Sequence, residues 1–202
     1  MPQAPSPVTH LLYLHGFRSS PQSAKAKRMA AWMASRAPKV TWWCPQLPPS
    51  PREAVDQLLQ GIQGWPRDRM GIVGSSLGGF YATVLGERLG CPTVVLNPAV
   101  DPARDLARHI GETTQWHSDD TFFFREDYVD ELRAMTPGDL AVPSRYFAVI
   151  ATGDEVLDWR EMSERYRGAH LRIVEGSDHG LTDFDEHLPH VLRFLGLVPG
   201  KD

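Results

Sequence analysis

The sequence predicts an α/β fold in which a mostly parallel sheet carries helices on both faces. Three observations support this prediction. Short runs rich in β-branched, aromatic and leucine residues recur along the chain, most of them lack a polar alternation, and amphipathic helical patterns separate them. Strands without alternation are typical of a sheet that is buried on both faces. Strands that alternate with helices indicate right-handed crossovers between parallel strands.

The apolar runs predict six strands, each bounded by Gly, Pro or polar residues. They cover residues 11–14, 40–43, 71–73, 93–96, 146–151 and 171–174. Amphipathic patterns predict five helices, at residues 23–37, 51–62, 79–89, 159–166 and 183–195. Two of these helices begin with a capping-box arrangement, in which Ser50 precedes Glu53 and Asp158 precedes Glu161 by three residues.

The alternation of strands and helices is interrupted once, at residues 101–143. This segment lies between two predicted strands and contains amphipathic stretches near residues 102–110 and 125–135. We interpret it as a small cap inserted into a single domain that spans residues 1–202.

Composition narrows the possible functions. The 202 residues are 42% hydrophobic and 23% charged, which suits one globular domain that buries roughly 70% of its unfolded surface. The net charge is −4 and no run of five like charges occurs, so the sequence lacks the electrostatic signature of a nucleic-acid-binding protein. We expect a small-molecule substrate instead.

Cysteine usage and hydropathy indicate the compartment. The two cysteines, Cys44 and Cys91, are too few for a disulfide framework and have no metal-binding spacing, which suits a reducing environment. No signal-peptide pattern and no apolar stretch of 18 residues occurs. We therefore expect a cytoplasmic protein without a membrane partner.

A Gly-x-Ser-x-Gly motif at residues 74–78 follows a predicted strand and opens a predicted helix. This is the context of a nucleophile elbow, which makes Ser76 the candidate nucleophile. A strand that turns abruptly into a helix crowds the backbone around the serine. Glycine at Gly74 and Gly78 relieves that crowding.

A serine nucleophile needs a histidine base and an acid that orients the base. Asp154 follows the predicted strand 146–151, and His179 follows the predicted strand 171–174. The carboxyl ends of parallel strands meet at one edge of the sheet, so we expect Ser76, Asp154 and His179 to converge there.

Other candidates for these roles exist. Glu155 or Asp158 is an alternative acid, although Asp158 also suits an N-cap. We interpret Asp178 as a loop-bracing or solvated carboxylate. The pair His187 and His190 has no matching ligand set nearby, so we expect neither a metal nor another cofactor.

The oxyanion of an acyl-transfer intermediate needs two positioned donors. The backbone N–H of Leu77, directly after the nucleophile, is one candidate. The N–H of Phe17 is the second, because residues 15–17 follow the first strand and Gly16 allows a close approach of the backbone. We interpret His15 as a residue that orients this loop.

Several sequence blocks resemble the YqiA-like esterases, small bacterial members of the α/β-hydrolase superfamily. The blocks are HGFRSSPQSAKA at 15–26, GSSLGGFYA at 74–82, NPAV at 97–100, TGDEVLDW at 152–159, and His179. The resemblance covers residues 11–197 and implies a compact α/β-hydrolase fold with Ser76, Asp154 and His179 as the triad of a serine esterase. It also implies short-chain ester and acyl-CoA thioester substrates.

The chain departs from these relatives at two positions that border the expected pocket. Arg18 stands where relatives often carry Asn, and Leu181 belongs to a His-Gly-Leu sequence where His-Ala-Phe is commoner. In the inserted segment, Trp116 and the aromatic run 122–124, which includes Phe122, suggest an apolar wall for an acyl chain. The alternative is that these aromatic side chains only pack the inserted segment against the rest of the domain.

The sequence leaves three functional alternatives to an esterase or thioesterase. A carbon–carbon bond hydrolase or a peptidase would use the same triad, and a binding protein on this scaffold would not turn over substrate. Arg18 and the basic residues of 25–28 suit a phosphorylated leaving group such as coenzyme A, whereas a solvated helix face is the simpler explanation of the basic residues of 25–28.

Overall fold

A computed structural model describes residues 7–114 and 121–199 of the chain. The strands are β1 (His10–Leu14), β2 (Thr41–Trp43), β3 (Met70–Ser75), β4 (Thr93–Leu96), β5 (Gly111–Thr114), β6 (Thr121–Phe124), β7 (Tyr146–Ala151) and β8 (His170–Val174). The α-helices are α1 (Ala24–Arg36), α2 (Pro51–Gly61), α3 (Leu77–Leu89), α4 (Pro102–Leu106), α5 (Glu126–Met135), α6 (Trp159–Arg165) and α7 (Phe184–Phe194).

All strands of the main sheet are parallel, and their order is β2-β1-β3-β4-β7-β8. The helices α1 and α7 pack on one face, against side chains such as Leu11 and Tyr13. The helices α2, α3 and α6 pack on the other face, against side chains such as Leu12 and Leu14. The prediction of a mostly parallel sheet with helices on both faces is therefore confirmed.

Burial differs between the centre and the edges of this sheet. Every residue of β3, β4 and β7 is buried, as the lack of alternation in these runs predicts. The edge strand β8 is different, since Leu171 and Ile173 are 40% and 44% exposed. An apolar run therefore does not distinguish an edge strand from a central one.

The segment between β4 and β7 contains α4, an antiparallel hairpin of β5 and β6, and α5. The two amphipathic stretches form helices, although α4 is shorter than the pattern at 102–110 suggests. The hairpin was not predicted, because β5 has the polar sequence GETT. The four residues of β6 alternate in exposure, with Thr121 and Phe123 exposed and Phe124 buried.

Polar contacts from α4 and α5 connect this segment to the helices that pack on the sheet. Arg104 of α4 binds both carboxylate oxygens of Glu161 in α6, at 2.9 and 2.7 Å. Glu131 of α5 accepts hydrogen bonds from the Ser50 hydroxyl at 2.8 Å and the Arg52 N–H at 3.0 Å, at the start of α2. We call residues 101–143 the cap segment below, within the limits of the described residues.

The predicted N-caps form. The Ser50 hydroxyl accepts from the Glu53 N–H at 3.2 Å, and the Asp158 carboxylate accepts from the Arg160 N–H at 2.9 Å. Within the described ranges, no helix combines the length and apolar character that crossing a membrane requires.

Candidate active site

The turn between β3 and α3 holds Ser76 in an uncommon backbone conformation, with φ 56° and ψ −121°. A non-glycine residue at positive φ is strained and needs support from its surroundings. Here the Ser76 N–H donates to the Leu96 carbonyl at 3.0 Å, and the Ser76 carbonyl accepts from Gly79 at 2.8 Å and Ala99 at 3.0 Å. These bonds fix the strained turn that places the serine at the end of the strand.

The glycines of the motif have a steric explanation. A Cβ at Gly74 would lie 2.1 Å from the Gly78 carbonyl oxygen, and one at Gly78 would lie 2.1 Å from the Leu14 carbonyl oxygen. Both distances involve backbone atoms, which have no room to move. A Cβ at Gly16 would lie 3.2 Å from the Ser76 Cβ, so the loop after β1 also approaches the serine closely.

The structure brings Ser76, Asp154 and His179 into one chain of hydrogen bonds. The Ser76 Oγ lies 3.0 Å from the His179 Nε2, and the His179 Nδ1 lies 2.7 Å from the Asp154 Oδ2. The Asp154 side chain is fully buried, and its Oδ1 accepts from the N–H groups of Val156 and Leu157, both at 2.8 Å. The carboxylate therefore orients the imidazole with Nδ1–H towards itself and Nε2 towards the serine.

The alternative carboxylates make other contacts. Glu155 accepts from the backbone N–H of His179 at 3.0 Å, Asp158 caps α6, and Asp178 accepts from the Thr182 N–H at 2.9 Å. Asp154 is thus the carboxylate that contacts the imidazole. The His187 ring contacts Asp183 at 3.2 Å and Arg172 at 3.1 Å, and no group of three metal-ligating side chains occurs in residues 7–114 and 121–199.

Sequence reasoning missed Asn97, which lies fully buried after β4 with φ 42°. Its side-chain amide donates to the carbonyls of Asp178 at 3.0 Å and His179 at 3.1 Å. Its side-chain oxygen accepts from the Ala151 N–H at 2.8 Å, at the end of β7. Asn97 therefore joins the loop of His179 to the strand that precedes Asp154. The NPAV block was the available signal, but it carried no indication of this role.

Phe17 and Leu77, the residues predicted to donate to the oxyanion, line the same cavity as Ser76. Leu77 is the first residue of α3, where a backbone N–H has no partner within the helix. Phe17 follows Gly16 in the loop after β1, and both line the same cavity as Ser76. The neighbouring His15 accepts from the Leu47 N–H at 3.1 Å through Nε2, and its Nδ1 lies 3.0 Å from the Gly16 carbonyl oxygen. This contact fits the interpretation that His15 orients the loop.

A cavity of about 520 Å³ opens above Ser76 and His179. The cap segment supplies part of its wall through α4 and the residues that follow it, including Leu106, Arg108 and His109. Arg18 lines it too, and its guanidinium donates to the Thr114 carbonyl of the cap segment.

The other residues predicted for the pocket are placed differently. Phe122 borders a smaller neighbouring cavity, and its ring centroid lies 5.9 Å from that of Phe17. Leu181 is buried among the side chains that pack under α1 and α7 and does not line the cavity. Leu181 has a positive φ of 46°, which turns the chain after His179. This residue therefore shapes the loop and does not contact the cavity. Trp116 lies outside the described residues.

Lys25 faces the cavity and not the solvated side of α1. Its ammonium donates to the carbonyl of Gly180, next to His179. Burial lowers the pKa of Lys25 to about 8, although the carboxylates of Asp178 and Asp154 oppose that shift. The idea of a solvated face holds for Lys27 and for Arg28, which are exposed, and Arg28 pairs with Asp185.

The fold is similar to that of solved α/β hydrolases. Mouse alpha/beta hydrolase domain-containing protein 10 has a TM-score of 0.71 and 13% identity over 94% of this chain and 90% of its own. Est1E from Butyrivibrio proteoclasticus has a TM-score of 0.67 and 14% identity over 96% and 88%. An esterase domain from a Rhodothermus marinus protein has a TM-score of 0.63 and 16% identity over 96% and 90%. At these identities, the similarity shows the α/β-hydrolase fold.

The family comparison agrees with the resemblance found in the sequence blocks. The model of an uncharacterised protein family, UPF0227, matches residues 10–196, which include every strand of the main sheet and all three members of the hydrogen-bonded chain. The chain therefore belongs to the UPF0227 family, the YqiA-like group, within the α/β-hydrolase fold.

Proposed function

We propose that this protein is a serine esterase that hydrolyses carboxylic esters, and acyl-CoA-type thioesters, of small molecules through an acyl-enzyme. The observation that carries the proposal is the continuous contact from Ser76 to His179 at 3.0 Å and from His179 to Asp154 at 2.7 Å. The esterases among the structural neighbours support it at the level of the fold.

The first half-reaction forms the acyl-enzyme. His179 Nε2 takes the Ser76 hydroxyl proton while Oγ attacks the ester carbonyl, and Asp154 stabilises the imidazolium that results. The N–H groups of Leu77 and Phe17 donate to the oxyanion. When the tetrahedral intermediate collapses, the bond to the alcohol or thiol breaks and the leaving group takes the proton from His179.

The second half-reaction releases the acid. A water molecule donates a proton to His179 Nε2 and attacks the acyl carbon, and the bond to Ser76 Oγ then breaks. The serine recovers its proton from His179, and the product is a carboxylic acid. These steps use groups of this chain and water, and the proposal includes no metal and no cofactor.

Ser76→Ala tests the proposal on a panel of chromogenic short-chain esters. We expect a loss in kcat on the order of 10⁶, as observed for a serine protease without its nucleophile. Ser35→Ala is the control, because Ser35 lies exposed on α1 and should leave the rate unchanged. A Ser76→Ala variant that keeps more than about a tenth of the wild-type rate would exclude Ser76 as the nucleophile.

The choice between esters and thioesters depends on the leaving group. Arg18 and Arg108 line the cavity and suit the phosphates of coenzyme A. We expect kcat/KM for an acyl-CoA to fall with added salt more steeply than kcat/KM for a neutral ester of the same acyl group. Equal salt dependence would contradict phosphate binding by these side chains.

A further inference from the structure

A group of hydrogen-bond donors lines the cavity beside the start of α1. It consists of the Tyr13 hydroxyl, the Ser23 hydroxyl and the Lys25 ammonium, and we call it the donor cluster. The mechanism above uses none of the three. Each of the three can donate a hydrogen bond to a ligand that has only acceptor atoms.

Tyr13 is the first observation that points to a ligand. The residue is 0% exposed, and its hydroxyl makes no hydrogen bond of normal geometry within the described ranges, although the Ser23 side chain of the same cluster lies close enough to affect it. A buried polar group without a partner costs folding free energy, so it calls for an explanation. Burial also raises the Tyr13 pKa, which keeps the hydroxyl protonated and able to donate.

The start of α1 is the second observation. Ser23 is the N-cap of this 13-residue helix, yet its side chain makes no capping hydrogen bond, and the first turn contains no acidic residue. The N–H groups of that turn have no partner within the helix, and the helix dipole places partial positive charge there. Ser23 and the helix terminus therefore both favour an anion.

Lys25 supplies a full positive charge at the same place. One N–H of its ammonium donates to the Gly180 carbonyl, and the ammonium has two further N–H groups. The cavity is also cationic, since its described lining contains Arg18, Lys25 and Arg108 and one carboxylate, that of Asp105. That carboxylate is already bound by Arg104 at 2.8 Å.

We propose that the donor cluster binds an anionic group of the substrate, a carboxylate or a phosphate monoester, while the ester carbonyl lies at Ser76. The proposal rests on the esterase function above and names its substrate class: esters of small molecules that carry an anionic group away from the scissile bond. The protein supplies hydrogen-bond donors and positive charge, and the anionic group supplies only acceptors. This complementarity selects against neutral esters of the same length.

Matched substrates test the proposal. The half-esters methyl hydrogen succinate, glutarate and adipate are compared with neutral methyl esters of equal chain length. We expect kcat/KM to favour the half-ester whose length fits the distance between Ser76 and the donor cluster. Lys25→Met should reduce kcat/KM for that half-ester by about tenfold or more, the effect of losing a charge-assisted hydrogen bond, and should leave the neutral ester much less affected.

Two variants serve as controls. Lys25→Arg keeps the charge and should retain most of the preference for the half-ester. Lys27→Met replaces an exposed lysine on the same helix and should leave kcat/KM unchanged for both substrates. Tyr13→Phe removes only the hydroxyl. Because that hydroxyl makes no hydrogen bond of normal geometry within residues 7–114 and 121–199, we expect Tyr13→Phe to keep or raise the Tm while it weakens the half-ester preference.

Equilibrium binding separates this proposal from the esterase proposal. Ser76→Ala protein is titrated with glutarate and with inorganic phosphate, and the tighter ligand identifies the anionic group. Binding that Lys25→Met weakens supports the donor cluster even if no ester is turned over. Absence of binding of both anions, or equal losses for charged and neutral esters in Lys25→Met, would overturn it and leave Lys25 as a brace for the loop of His179.

Discussion

At the residue scale, Asn97 joins three parts of the site through one side chain. It contacts the backbone of Asp178, His179 and Ala151, and its positive φ suits Asn better than most residues. The imidazole of His179 thus depends on two fixed points, the carboxylate of Asp154 at one ring nitrogen and the amide of Asn97 beneath its backbone. We infer that Asn97 is a positioning residue.

Asn97→Gly tests this role, because glycine adopts positive φ without strain and removes only the side chain. We expect kcat to fall by up to about 100-fold with a smaller change in KM, since the base loses its alignment with Ser76. Each backbone group left without a partner should cost about 1–3 kcal/mol of stability. Steady-state kinetics and thermal unfolding measure the two effects.

Thr83→Val is the matched control for a general loss of stability. The Thr83 hydroxyl is buried and contacts the Tyr166 hydroxyl at 2.6 Å, on the side of α3 that does not line the cavity. Thr83→Val should therefore lower the Tm without lowering kcat. If both variants lost kcat equally at matched temperature below Tm, Asn97 would have only a structural role.

The charge of Lys25 should make the preference for a half-ester over a neutral ester depend on pH. Burial lowers its pKa from 10.5 to about 8, while Asp154 and Asp178 oppose the shift. The Lys25 side chain therefore carries a positive charge below about pH 8, and this charge is lost as the pH rises through that value. We expect the kcat/KM ratio of half-ester to neutral ester to fall between pH 7 and pH 9 in the wild type.

Using the ratio removes any effect of pH that the two substrates share. Lys25→Arg should keep the ratio constant over the same range, because a guanidinium stays protonated. A wild-type ratio that did not change from pH 7 to pH 9 would contradict a role for the Lys25 charge.

At the scale of elements, the cap segment connects to the proposed oxyanion loop through aromatic packing. The Phe17 ring lies edge-on to Phe124 of β6, with centroids 5.2 Å apart, and Phe124 in turn packs against Tyr128 of α5. Phe124 is 1% exposed, whereas its neighbour Phe123 on the other side of the hairpin is 60% exposed. The hairpin thus packs against Phe17, whose N–H is a proposed oxyanion donor.

Phe124→Ala and Phe123→Ala form a matched pair. We expect Phe124→Ala to cost about 3–5 kcal/mol of stability, the range for a truncated core aromatic, and to lower kcat because Phe17 loses its support. Phe123→Ala should change stability by no more than about 0.5 kcal/mol. Equal effects of the two substitutions on kcat would show that hairpin packing does not reach the site.

Much of the fold and part of the candidate site could be predicted from the sequence. Strand runs, helix N-caps and a glycine-flanked serine each depend on a few neighbouring residues. The loops after β7 and β8 lie at the same edge of the sheet because parallel strands bring their carboxyl ends together. Contacts between distant segments could not be predicted. Asn97, the direction of Lys25 and the burial of Leu181 each depend on which face a loop or helix turns towards the cavity, and no local pattern specifies this.

At the scale of the whole molecule, strand order creates the cavity. The chain proceeds from β1 to β2 on one side of the sheet and from β3 through β4 and β7 to β8 on the other, so the direction reverses between β1 and β3. The loops after these two adjacent strands diverge, which opens a crevice at the carboxyl edge of the sheet. Phe17 follows β1 and Ser76 follows β3, so the reversal places the proposed oxyanion donor and the proposed nucleophile on adjacent loops.

The measurement that tests the esterase proposal most directly is the intact mass of the purified protein after treatment with a fluorophosphonate. An activated serine forms one covalent phosphonyl adduct, because its oxygen displaces fluoride from phosphorus while His179 takes the proton. We expect a single adduct on the wild type and none on Ser76→Ala. A wild-type protein that stays unmodified, or a Ser76→Ala variant labelled to the same extent, would contradict the proposal that Ser76 is the nucleophile of a working triad.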